Sequence, residues 1–305
     1  MKLFFLLTGL AVSLSGCAGN KEAKTELPLP IAYEDYTGEY PDFTLVFDDR
    51  FDQKTAFWEF GDGTFPENAC RFTPEGVKYE NGTMSLVVTE DHVPGSWSNS
   101  NGVLESERDY SSGEIRSKKP ILYGRLEARV RNPPSETASG YISSLFTYVN
   151  DKKDGFKWRE IDIEMEGLRP SQFQANYIFG EGTWQWWETR LWGAYEEKIE
   201  IGSEGQWRVF ALEWTDSRIR WYVNGVLVKE LTNDDLDGNP PTTPEGQAVQ
   251  KHPAFIPQIA QQIIMNFWIP NDLVQDHFGG NKRNNIYPMK AEYDWFRYYS
   301  WTPRE

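Results

Sequence analysis

Cysteine and histidine are nearly absent from this chain of 305 residues, which has 2 of the first and 3 of the second. Cys17 and Cys70 lie in such different contexts that no disulfide framework is available. No histidine is near Cys70 in sequence, so that thiol reads as a small buried hydrophobe and not as a nucleophile. Basic residues are outnumbered, 31 against 46 acidic, for a formal charge of -15. Such a field repels phosphate backbones and argues against a nucleic-acid partner. Helical periodicity sustained over three turns is missing, as is any internal repeat. The one notable apolar run, residues 3–14 after Met1 and Lys2, is too short to cross a bilayer as a mature helix.

That run has the form of an export signal, and its end, Leu14-Ser15-Gly16-Cys17, resembles the lipobox of bacterial lipoproteins. The resemblance implies a signal peptide over residues 1–16 and a lipid on Cys17. The protein would then be exported and held to a bacterial membrane, at the outer membrane or cell surface. Residues 17–42, rich in Lys, Glu, Thr, Pro and Gly, read as a flexible tether, and 43–305 as one domain.

What the chain does have is aromatic surface: 13 Trp, 15 Tyr and 18 Phe, 15% of all residues. Short segments rich in aromatic and β-branched residues at 83–88, 123–130, 141–149 and 207–214 read as strands. Asn224-Gly225, between 218–223 and 226–229, tolerates the positive φ angles of a type I′ turn and marks a hairpin. Strands recurring every 8 to 12 residues or so, with Gly, Pro and Asn between them, predict an all-β sandwich or barrel. Two segments break the rhythm: a Trp-rich one at 180–197 and a Pro-rich one at 232–257.

The chemistry concentrates in Trp158-Arg159-Glu160-Ile161-Asp162-Ile163-Glu164-Met165-Glu166-Gly167. Apolar and acidic residues alternate with a period of 2, so the segment is a strand with Glu160, Asp162 and Glu164 on one face. A plain solvent-facing strip would mix in Thr, Lys or Ser, because like charges in a row repel. Retaining hydrolysis of a glycosidic bond gives a reason to keep such a row, since it needs a carboxylate nucleophile and a carboxylic acid about 5 to 5.5 Å apart. Cα atoms at i and i+4 of a strand lie about 13 Å apart, so the two Glu side chains would have to lean inward on a concave sheet. Crowding three carboxyls should also keep a proton in place at neutral pH.

Glu160-Ile161-Asp162-Ile163-Glu164 resembles the ExDxE signature of glycoside hydrolase family 16, the laminarinase and lichenase group. Segments 141–148, 112–117, 264–268 and 291–295 are similar to other strands of bacterial lichenases, so the resemblance runs with gaps from about Phe47 to Tyr299. It implies a β-jelly-roll sandwich of two antiparallel sheets with a concave substrate cleft. Glu160 would be the nucleophile, Asp162 its helper and Glu164 the general acid/base. Glu114, Arg116, Phe146, Tyr148, Trp158, Asn176, Asn266 and Trp268 would line the cleft, where aromatic faces stack on sugar rings and polar groups bind hydroxyls. His277 stands near where lichenases offer a further Trp, and Trp184 and Trp187 are candidate sugar contacts. The family also implies a structural calcium, here at Asp294 and the Gly82 carbonyl. No cofactor is needed for catalysis, and a monomer suffices.

The substrate expected from this resemblance is a β-1,3-1,4- or β-1,3-glucan, cut internally with retention. Arg159 and Arg190 raise a second reading, a sulfated galactan, with the two arginines as anion contacts. Transglycosylation would use the same acids. A glycan-binding lipoprotein without catalysis would have no need of the acidic row.

Overall fold

The computed structural model describes residues 28–94, 97–98, 104–105, 107–151, 156–182, 191–238 and 255–303. The expected sandwich is present. One sheet runs, in spatial order, Leu191–Ala194, Gln172–Gly182, Phe156–Glu166, Ile142–Asp151, Gln262–Trp268, Tyr110–Ser117 and Trp58–Phe60. Glu197–Glu200 also pairs with Gln172–Gly182, and Cys70–Phe72 adds in parallel beside Tyr110–Ser117. The second sheet runs Val226–Thr232, Arg218–Val223, Arg208–Trp214, Gly124–Arg131, Met289–Trp301, Thr83–Val88 and Val77–Glu80, with Phe43–Asp49 on the other part of Met289–Trp301. The Asn224-Gly225 turn has φ of 47° and 79°, as a type I′ hairpin requires.

Between the sheets lie the odd-numbered residues of the acidic strand, Ile161, Ile163 and Met165, with Phe173, Tyr177, Ile263, Met265 and Phe267 from its neighbours. Much of the aromatic excess is buried, between the sheets and, for Trp295, on the outer face of the second sheet. Trp58, Trp214, Trp221 and Trp295 are fully buried, and each indole N–H finds an oxygen. Trp58 donates to Asp49 Oδ2 at 2.8 Å and Trp214 to the Pro257 carbonyl at 2.9 Å. Trp221, on the second sheet, donates to the Asp162 carbonyl at 2.8 Å and so pins the acidic strand from beneath.

One expectation needs correction. Residues 31–42 are not tether: they belong to the compact unit Ile31–Glu305 and cover the outer face of the second sheet. Tyr36 donates to Glu127 Oε2 at 2.9 Å, Tyr40 donates to Oε1 of the same carboxylate, and the Ile31 carbonyl accepts from Trp295. Beneath them Arg125, 2% exposed, lies between the rings of Tyr40 and Tyr222, 3.8 and 4.7 Å from their centroids, and donates to Glu127 and Glu213. Composition gave no hint of this because the segment folds through three tyrosines and not through an apolar stripe. The Pro-rich excursion, in turn, opens with a short helix, Asn233–Gly238. Cys17 and residues 1–16 lie outside the described residues.

Candidate active site

Register places the polar residues in transverse rows on the face of the first sheet that points away from the core. One row reads Glu114, Asn266, Ser144, Glu164, Gln174, Lys198 across six strands. The next reads Arg116, Ile264, Phe146, Asp162, Asn176, and a third Gln262, Tyr148, Glu160, Ile178. Side chains directly opposite on paired strands share a face, so the three acids sit side by side with residues that are distant in sequence. Phe146, Tyr148 and Trp158 are half-buried, leaving ring surface open over the row.

Each acid has its own partners. Trp158 Nε1 donates to Glu160 Oε2 at 2.7 Å, and Gln174 Nε2 donates to Glu164 Oε2 at 2.9 Å. Asp162 is 2% exposed and hydrogen-bonds Glu160 and Asn176. Its Oδ1 meets no hydrogen-bonding group among the described residues. Glu114 accepts from Arg116 Nε at 2.6 Å and Asn266 Nδ2 at 3.0 Å, and Ser144 donates to Asn266 Oδ1 at 2.5 Å. These residues form one hydrogen-bonded floor.

Burial dominates the electrostatics. Glu160 and Glu164 keep a path to water, yet protein surrounds them closely enough that desolvation pushes their carboxyls up to about 7 and about 8. Hydrogen bonds from Trp158 and Asp162 pull Glu160 back down, whereas the charges of Glu160 and Glu166 push Glu164 further up. Asp162 is raised well above the usual carboxylate range, by burial first and then by the two flanking glutamates. The result is a nucleophile-like carboxylate next to a carboxyl that keeps its proton at neutral pH, the division of labour that acid–base cleavage requires.

Most residues expected from the sequence meet on this face: Glu114, Arg116, Phe146, Tyr148, Trp158, Glu160, Asp162, Glu164, Asn176 and Asn266. Trp268 is a correction. It points to the same side, but Phe65, 4.8 Å away edge-on, and Phe278 at 6.0 Å close over it, leaving it 5% exposed and unable to serve as an open platform. His277 is exposed in the segment after it. Trp184, Trp187 and Arg190 lie outside the described residues.

Arg159 is a second correction. It is 3% exposed on the core side, its guanidinium 4.0 Å from the Phe179 centroid, with Nη1 donating to the Trp158 and Gly180 carbonyls at 2.8 Å. It cannot meet an anion in the cleft. At the expected calcium donors, the Asp294 carboxylate accepts from Arg129 at 2.6 Å, so a cation there would share it with a guanidinium. No group of three or more acidic, histidine or cysteine side chains suited to a metal ion occurs among the described residues.

Sequence reasoning missed Ser144, Gln174, Glu166 and Lys198. The first three follow from extending the period of 2 by one step from Phe146, Asn176 and Glu164. Lys198 needed the register of Glu197–Glu200, which nothing local reveals.

A jelly roll carrying proton-holding carboxyls on its open sheet, flanked by aromatic rings and hydroxyl-binding groups, defines a glycoside hydrolase. The particular family follows from direct comparison. The model of glycosyl hydrolases family 16 matches residues 66–295, and the chain belongs to that family. It is 30% identical over 301 residues to a beta-glucanase of Brevibacillus brevis, covering 98% of this chain and 93% of the relative. It is 28% identical to the beta-glucanase of Bacillus subtilis, with 97% and 96% covered. The solved Bacillus licheniformis beta-glucanase shares the fold with a TM-score of 0.59 at 24% identity, covering 85% of this chain and 98% of its own.

Proposed function

We propose that this protein is an endo-acting, retaining β-glucanase that cleaves β-1,3-1,4- or β-1,3-linked glucan. The observation that carries the reading is the shared face of Glu160, Asp162 and Glu164, with the two glutamates held up to about 7 and about 8. The beta-glucanases that match nearly the whole chain support the substrate class. In the first step Glu160, held by Trp158, attacks the anomeric carbon while Glu164 donates its proton to the departing oxygen. The C–O bond breaks and a glycosyl ester forms on Glu160. In the second step Glu164, now ionised, takes a proton from water, which attacks the same carbon and releases Glu160. Asp162 hands its hydrogen bond to Glu160 whenever that oxygen regains charge. Phe146, Tyr148 and Trp158 offer ring faces to the sugars, and Arg116, Asn176 and Asn266 offer donors to hydroxyls.

The test is a digest series on laminarin, mixed-linkage glucan, xyloglucan, agarose and carrageenan with linkage analysis of the products. Internal cuts in the first or second glucan are expected. Cleavage confined to agarose or carrageenan would overturn the substrate assignment, and silence on all five would favour a binding protein. We further propose a lipid anchor on Cys17. Labelling by radioactive palmitate in the native host should be lost in Cys17→Ala, and its persistence would refute the anchor.

A further inference from the structure

The row through Glu164 ends in two residues to which the reaction assigns no role, Gln174 and Lys198. Gln174 donates to Glu164, and Lys198 Nζ donates to Gln174 Oε1 at 2.6 Å. A primary amide has nearly the same shape when turned over, so its neighbours decide which end faces which. An ammonium group has donors only. Lys198 therefore compels the Gln174 oxygen to face it and the NH2 to face Glu164. The lysine has a fixed seat of its own, 3.2 Å from Glu166 and 3.1 Å from Glu196. Glu166 is anchored in turn by Arg169 at 2.5 Å and by the Gly279 N–H at 2.7 Å.

We propose that Lys198 is a positioning residue for Glu164: acting through Gln174, it fixes which end of that amide the carboxyl meets and so the pH range over which Glu164 holds its proton. The inference rests on Glu164 being the acid/base. With the NH2 toward it, Glu164 is favoured as a carboxylate. Turned over, the amide would present a lone pair that only a protonated Glu164 can meet with a donor. The lysine charge acts in the same direction, lowering the proton affinity that burial raises. The other titratable groups facing Glu164 are acids: Glu160, Asp162 and Glu166 on its own strand and Glu196 beside Lys198. On the opposite side it meets uncharged Ser144, with Glu114 beyond Asn266. Among the described residues Lys198 is the cation that opposes this set, and it lets Glu164 give up its proton in time to act as base in the second step.

The experiment uses the full chain, labelled with 13C at glutamate Cδ. The Glu164 signal is assigned by its loss in Glu164→Gln and followed by NMR through a pH titration, alongside the pH dependence of kcat/KM on soluble mixed-linkage glucan. In Lys198→Met the Glu164 midpoint and the alkaline limb should rise together by roughly half a unit, and in Lys198→Glu, which also turns the amide over, by about one unit or more. Lys198→Arg should keep both where the wild type has them. Gln174→Leu keeps the lysine and breaks the link, and should also raise the midpoint. An unmoved midpoint in Lys198→Glu overturns the proposal, and, if that variant fails to fold, an unmoved midpoint in Gln174→Leu does the same. A wild type without turnover on any glucan would instead sink the functional reading, and the NMR midpoints would still decide the role of Lys198.

Discussion

Arg159 and Glu160 are neighbours in the chain and lie on opposite faces of one strand. Glu160 opens to water beside Trp158, whereas the Arg159 guanidinium stacks on Phe179 in the interior. Replacing Arg159 with Met should leave the preference between neutral and sulfated glycans unchanged and lower stability, because the carbonyls of Trp158 and Gly180 lose a charged donor. A loss of about 1–3 kcal/mol follows from such buried bonds. At about 2–4 °C per kcal/mol for a domain of this size, a thermal melt resolves it. An Arg159→Met protein that lost cleavage of a sulfated galactan would return Arg159 to the cleft.

Glu160→Gln keeps the shape of the nucleophile and removes its charge. Turnover on the susceptible glucan should fall by about 10⁴-fold or more, while oligosaccharide binding measured by calorimetry persists. Near-wild-type turnover would make the assignment of Glu160 wrong.

A glycosyl ester on Glu160 requires two inversions at the anomeric carbon. Proton NMR of the first products should therefore show the β-anomer appearing ahead of mutarotation. An early α signal would rule the two-step scheme out.

The pH dependence has a worked sign. Ionised Glu160 with protonated Glu164 is the working form, so kcat/KM should be bell-shaped with limbs near 7 and near 8. Stability runs the other way. Both carboxyls are raised in the folded chain, so the folded state holds protons that the unfolded state releases near about 4.3. That stabilisation is complete below about pH 4 and is lost as pH climbs through 7 to 8. Glu164→Gln, which has no charge to bury, should melt at the same temperature as wild type near pH 4 and a few degrees higher at pH 9. Equal melting at both pH values would contradict the burial argument.

Tyr36 and Tyr40 both donate to Glu127 over the buried Arg125. Deleting residues 1–42 should strip this cover and lower the melting temperature by several degrees, with kcat on glucan per folded molecule unchanged because the opposite sheet carries the chemistry. A truncation without thermal cost would restore residues 31–42 to the tether.

Period-2 alternation was enough to place Glu160, Asp162 and Glu164 on one face and Ile161, Ile163 and Met165 in the core, because that rule is local to a strand. The Asn224-Gly225 hairpin was legible for the same reason. Trp268 was not, since whether a ring is a platform or is capped depends on Phe65 and Phe278, residues that approach from separate loops. Arg159 looked like a surface cation because charge is read from composition while burial is decided by parity along the strand. Lys198 stayed hidden because the row it completes is written across six strands and not along any one of them.

That row also depends on strands far apart in the chain. Glu114 and its hydrogen-bond partner Asn266 are separated by 152 residues. The strand bearing Asn266 also lies between those bearing Glu114 and Ser144. A nascent chain that has not yet docked Gln262–Trp268 has three acids on a strand but no floor to align them. Contacts of such long sequence separation pay a large loop-closure entropy and form slowly. Competence to cut glycan therefore needs this strand in place, and fragments ending before it should be inert however well their earlier hairpins form.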